Sequence, residues 1–251
     1  MKKDRGNSLQ EKVVVSVRRT AGPRRALSAL AQLMAALIIV LCALISASLV
    51  GAEDQAGSVA ALTQRAAQGE AQAQLQLGLR YAKGQGVPQD YVEALKWYRL
   101  AAAQGNAEAQ FSLGVLYAKG EGVAQDGAEA AKWYHLAAAQ GNAEAELNLG
   151  LLSATGQGVP QDDAEALKWF RLAAGQGNAG AQFNLGILYS QGQGVPQDDI
   201  QAYKWFTLAA AAFPVKADRD SALKTRDLVT AGMTAAQKAQ AQKLAQEWKK
   251  Q

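Results

Sequence analysis

A unit of 36 residues recurs four times without a gap between residues 67 and 210, and this period limits what the chain can fold into. Glycine returns at Gly78, Gly114, Gly150 and Gly186, tryptophan at Trp97, Trp133, Trp169 and Trp205, and aspartate at Asp90, Asp126, Asp162 and Asp198. Three chemically unrelated residue types holding one spacing mark stacked supersecondary units, each too small to bury its apolar face alone.

Each block reads as two helices. In block 103–138 the stretch 106–119 is one helix, because Ala109, Leu113 and Tyr117 recur every four residues and share a face. Gly114 falls mid-helix, where glycine costs about 1 kcal/mol relative to alanine, so its recurrence predicts a close approach by a neighbouring helix. The segment 120–125 reads Gly-Glu-Gly-Val-Ala-Gln, and the other blocks read Gly-Gln-Gly-Val-Pro-Gln with Pro88, Pro160 and Pro196, a composition that breaks helices. The second helix starts at the repeated aspartate. Glu93, Glu129, Glu165 and Gln201 follow three residues on, which is capping-box spacing. Ala94, Trp97, Tyr98, Ala101 and Ala102 form its apolar stripe, and Gly105 stops it. On this pattern the tryptophans lie on the inner stripe and are expected to fill the space between stacked pairs. The chain beyond residue 57 is expected to be all-α, with about eleven helices.

Several runs then resemble a known family. Leu77-Gly78-Leu79-Arg80-Tyr81, Leu113-Gly114-Val115-Leu116-Tyr117 and Leu185-Gly186-Ile187-Leu188-Tyr189 look like the L-G-x-x-Y of tetratricopeptide-type helices. The period, the G-x-G-V-P-x-D turn and the A-x-K-W-[YF]-x-x-A-A run are similar to the Sel1-like repeat. The resemblance covers blocks 67–102, 103–138, 139–174 and 175–210; the third departs from it, with Ser153 where the others have tyrosine. It implies a right-handed α-α solenoid whose first helices line a concave face, and a role as an interaction scaffold. Side chains spaced i, i+4, i+11 on the first helices give a polar stripe for a partner: Gln72, Gln76 and Lys83, then Glu108, Ser112 and Lys119, then Glu144 and Asn148, then Asn184. Asparagines on such a face are suited to hydrogen-bonding an extended peptide.

Both ends of the array call for caps. Residues 53–66 read as a linker and half-repeat, and 211–251 as a helical cap in which Thr234 and Gln237 form another capping box. Trp248, the one tryptophan outside the blocks, is expected to seal the last repeat.

Residues 1–25 carry eight basic and two acidic side chains, and 26–52 carry no charge. Leu33 to Val50, about 27 Å long as a helix, nearly matches a bilayer core of about 30 Å. The segment 26–52 therefore reads as a transmembrane signal-anchor or a cleaved signal peptide, placing everything after it in the periplasm. The leader also explains the net charge of +4, since the array itself has nine basic and fourteen acidic residues. That balance disfavours nucleic acid.

Little catalytic chemistry can be assembled. Cys42, the single cysteine, lies in the apolar run, so no disulfide is available further on. His135, the single histidine, takes the block position held by Arg99, Arg171 and Thr207 and reads as a surface residue. No metal site or cofactor is expected. The Gly-x-Gly turns join helices and lack the strand a phosphate loop requires, and Asp162 and Asp163 are explained by helix capping. The expected function is a non-catalytic adaptor binding an envelope protein or peptide; the alternative is a peptidoglycan-associated enzyme or accessory factor.

Overall fold

The structure, a computed structural model, describes residues 59–248. The leader, 1–25 and 26–52, lies outside the described residues, and among those described no helix is long and apolar enough to cross a membrane. Eleven helices and no strand make up the described residues. They are α1 (59–67), α2 (Ala71–Lys83), α3 (Tyr91–Ala103), α4 (Ala107–Lys119), α5 (Gly127–Ala138), α6 (Ala143–Thr155), α7 (Asp163–Gly175), α8 (Ala179–Gln191), α9 (Asp199–Ala212), α10 (Lys216–Thr230) and α11 (Ala235–Trp248). Each packs on the next in chain order through α10, and α11 returns to pack on α9. Val59, Leu62 and Ala66 of α1 are buried with Ala73 and Leu77 of α2, so the half-repeat covers the first pair.

Local signals set these boundaries. The first helices α4, α6 and α8 are capped by Asn106, Asn142 and Asn178, whose side-chain oxygens accept from Ala109, Ala145 and Ala181 N–H at 2.9, 2.8 and 3.0 Å. They end on Gly120, Gly156 and Gly192 in the left-handed conformation. The second helices start at the expected aspartates, with Asp90 and Asp126 accepting from Glu93 and Glu129 N–H at 3.0 Å. The reciprocal half of the capping box does not form there, because Asp90 N–H already donates to the Tyr81 carbonyl at 2.9 Å. Glu93, Glu129 and Glu165 are left to pair with Lys96, Lys132 and Lys168 at 2.6, 2.7 and 2.8 Å. These lysines are mostly exposed, so the pairs contribute little stability. Thr234 and Gln237 do complete a box: Thr234 N–H donates to Gln237 Oε1 at 2.8 Å and Gln237 N–H to Thr234 Oγ1 at 3.3 Å.

Of the repeat tryptophans only Trp205, 5% exposed, is buried in the core as the stripe predicted. Trp97, Trp133 and Trp169 are half-buried, whereas the next residue, Tyr98, Tyr134, Phe170 or Phe206, is at most 2% exposed. The two positions differ by about 100° around the helix, and the mid-helix glycine selects the second. A Cβ on Gly150 would stand 2.4 Å from the Phe170 ring, and one on Gly114 would stand 2.4 Å from Tyr134. The neighbour that requires glycine is thus an aromatic ring packed against the helix at that residue. Burial pushes the Tyr98 and Tyr134 hydroxyls up to about 12, so both rings are neutral spacers at physiological pH. Trp133 instead bridges the apolar clusters of the first and second blocks.

Neighbouring blocks also meet at the turns. A Cβ on Gly158 would lie 2.2 Å from the Gly127 carbonyl carbon, and one on Gly194 would lie 2.4 Å from Asp163 O. The second glycine of each such turn lets it rest on the start of the preceding block's second helix.

Candidate functional site

The polar stripe of the first helices is largely open. Gln72, Gln76, Lys83, Glu108, Lys119 and Glu144 are exposed, while Ser112, Asn148 and Asn184 are half-buried. Asn148 Nδ2 donates to the Glu144 carbonyl at 2.7 Å and Asn184 Nδ2 to the Gly180 carbonyl at 2.8 Å. Each asparagine has one N–H turned back on its own helix. Glu144 is also engaged, its Oε1 accepting from Asn178 Nδ2 of the next block at 2.7 Å.

Beneath this face runs a ladder of buried amides that the polar character of its members hid from the sequence reading. Gln74, Gln110 and Gln182 are buried, and each Nε2 donates to the carbonyl eight residues back, Ala66, Ala102 and Ala174, at 3.0 to 3.3 Å. Gln74 and Gln110 Oε1 accept from Gln104 and Gln140, thirty residues on, both at 2.8 Å. In the third block the buried member is Glu146, 5% exposed, which accepts from Gln176 at 2.8 Å but has no N–H for the preceding carbonyl. In the fourth the distal partner is Ala212, and Gln182 Oε1 is buried without a partner.

Burial raises the Glu146 carboxyl above its ordinary 4.5, against the opposing hydrogen bond from Gln176. The folded chain therefore holds this proton more tightly than the unfolded chain. Its contribution to stability falls as pH rises from about 4.5 through the raised value, and is constant above it. Glu146→Gln restores the missing donor and is expected to stabilise the array by about 1 kcal/mol at neutral pH. The advantage should shrink toward about pH 4, where Glu146 is protonated. Urea denaturation of both proteins across that range checks this; a pH-independent difference contradicts it.

A second regular contact joins adjacent blocks. Arg99 donates to the Tyr117 hydroxyl and Arg171 to the Tyr189 hydroxyl, each at 2.6 Å and each spanning eighteen residues. Between the second and third blocks both members change, to His135 and Ser153. The lost ring leaves a cavity of about 310 Å³, its inner wall formed by Leu149, Leu152, Ser153 and Val159 and its rim by Pro160, Asp162 and Glu165. Trp169 and His135 close the side, edge to face with ring centroids 5.3 Å apart. His135 is exposed, as its block position predicted, yet it lines this cavity. The signal available in the sequence was the coincidence of two departures eighteen residues apart.

At the far end the array is sealed differently. Gln201 replaces the glutamate of the other blocks, and Lys204 is buried with its Nζ 4.3 Å from both the Trp205 and Trp248 rings. Trp248 meets Trp205 edge to face at 5.1 Å, the sealing role its position predicted. Beside it a cavity of about 450 Å³ is lined by Gln182, Leu208, Ala212 and Trp248 among others.

The Sel1 repeat family model matches residues 71–106, 107–142, 143–178 and 179–212, each copy beginning four residues after a block read from the sequence. Among solved structures the chain is similar to a Sel1 repeat protein from Oxalobacter formigenes, with 33% identity, a TM-score of 0.60, and coverage of 75% of this chain and 84% of that one. It is also similar to a protective antigen present in uropathogenic Escherichia coli strains that displays an SLR fold, with 45% identity and a TM-score of 0.60. That match covers 61% of this chain and 33% of the antigen, so the chain spans about a third of the antigen's length. No curated protein matches the chain.

Proposed function

The chain belongs to the Sel1 repeat family, and from that premise we propose that it is a non-catalytic scaffold that binds an envelope protein or peptide on the stripe of its first helices. One observation carries this reading. The four blocks repeat their packing residues (the glycine, its ring, the capping aspartate) while the stripe position reads Gln72, Glu108, Glu144 and Gly180 in turn. A face whose exposed residues differ over an unchanging frame is suited to recognising one partner along its length. We further place the array in the periplasm, held by the apolar run 26–52 or released after its cleavage, because basic residues precede that run.

A membrane-impermeant amine cross-linker applied to cells with a permeabilised outer membrane tests both parts. The intact chain is expected to yield one dominant cross-linked envelope protein, lost in the Gln72→Lys/Glu108→Lys double variant with the melting temperature unchanged. Both side chains are exposed, so the substitutions leave the frame intact. No cross-link from the periplasmic side, or an identical pattern from the variant, rejects the proposal.

A further inference from the structure

We propose that the cavity between the second and third blocks is a receptor slot for a tyrosine side chain presented by a partner polypeptide. This deepens the scaffold reading and rests on it for the polypeptide nature of the ligand.

The rest of the array shows what such a site accepts. Tyr81, Tyr117 and Tyr189 stand where the third block has Ser153, and two of them receive a cationic side chain's N–H on the hydroxyl from eighteen residues back. Ser153, only 7% exposed, takes away the ring and leaves its surroundings in place. Leu149, Leu152 and Val159 remain as apolar walls, and Trp169 as an aromatic one. His135 stands where Arg99 and Arg171 stand and offers a ring N–H in place of the guanidinium. The shorter imidazole leaves room that arginine would occupy. The indole of Trp169 differs in turn: the N–H groups of Trp97, Trp133 and Trp205 are buried without partners, and that of Trp169 is not sealed off in this way. The cavity therefore has apolar walls and a few convergent polar groups, at the small end of the size range of ligand sites.

The rim selects against charge. Asp162 and Glu165 stand at it, the former held as the N-cap of α7 by bonds from Ala164 and Glu165 N–H at 2.9 and 3.0 Å. Glu165 is paired with Lys168 at 2.8 Å, so the Asp162 carboxylate leaves the rim one net negative charge, which repels a phosphate or carboxylate on the entering ring. The ligand is thus a neutral phenol, unphosphorylated tyrosine, entering ring first with its hydroxyl toward His135.

The test uses the full chain labelled with ¹⁵N, in which the Trp169 indole resonance is identified by its loss in Trp169→Phe. Titration with p-cresol and with N-acetyl-tyrosinamide is expected to move that resonance saturably and leave the Trp97 indole unmoved. Toluene and 4-methylphenyl phosphate should bind at least about tenfold more weakly, one lacking the hydroxyl and the other repelled at the rim. Ser153→Tyr, which places in the slot the residue the other blocks carry, should abolish the response while keeping native indole dispersion. His135→Ala should weaken p-cresol by up to about tenfold. The proposal is overturned if Ser153→Tyr binds p-cresol like the parent, if toluene binds as well as p-cresol, or if p-cresol enters but N-acetyl-tyrosinamide does not. Phenol binding by a chain that cross-links to no envelope protein leaves the slot standing and rejects the scaffold reading instead.

Discussion

Phe170→Ala is expected to lower the stability of the array by about 3–5 kcal/mol, the usual cost of truncating a fully buried aromatic side chain. The ring is 1% exposed, lies on the backbone of α6 at Gly150, and belongs to the cluster containing Ala166, Leu185 and Trp205. Typical domains have about 5–15 kcal/mol in total, so the variant should approach collapse at that block. Trp169→Ala, one residue earlier and half-buried, should cost roughly half as much, because less apolar area returns to water. Urea denaturation of both variants gives the comparison. If Trp169→Ala were the more damaging, the tryptophan and not the ring after it would be the core of the repeat.

Gly150→Ala is expected to destabilise, the reverse of what helix propensity gives. In an exposed helix interior the substitution gains about 1 kcal/mol. Here the new methyl carbon would stand 2.4 Å from Phe170 Cε1 and 2.5 Å from Cδ1. Relieving that overlap moves a packed ring or the helix carrying it, and overpacking of this kind costs about 1–3 kcal/mol. The net result should be a loss of up to about 2 kcal/mol. Combining it with Phe170→Leu should make the two substitutions less than additive, since the smaller side chain yields space to the methyl. A stabilised Gly150→Ala protein, or strict additivity, would break the link between glycine and ring.

Much of this architecture is written in local residue choices. The aspartate caps and the helix-breaking turns are each decided within a few residues of chain, and the glycines Gly78, Gly114, Gly150 and Gly186 stand out by their period although the ring that requires each lies in the next helix. What stays hidden depends on partners far apart in sequence. The stripe contains both Trp97 and Tyr98, and only the docking of α2 decides which of them turns inward. Gln74 and Gln110 look like surface residues until Gln104 and Gln140 are seen to satisfy them from thirty residues away. The capping boxes read as reciprocal because nothing local shows that Asp90 N–H is taken by Tyr81. Ser153 stands out as a departure, but its consequence depends on His135, which belongs to the block before. Of the stripe, the spacing correctly marks side chains that reach the surface; that Asn148 and Asn184 each turn an N–H back on their own helix follows from rotamer choice, which spacing does not encode.

The amide ladder and the arginine–tyrosine contact differ in what happens when a gene is copied unequally. Gln110 and Gln140 lie inside one copy of the repeat, residues 107–142, so the pair is inherited whole whenever that copy is duplicated or lost. His135 and Ser153 lie on opposite sides of the boundary between 107–142 and 143–178. Excising the second copy would set Arg99 against Ser153; duplicating it would set His135 against Tyr117. The Gln110–Gln140 pair is thus a property of a unit, while the bond from Gln110 to the Ala102 carbonyl reaches back into the copy before. The cavity is a property of a junction: excising either flanking copy removes it, whereas duplicating one of them adds a different junction and keeps the original.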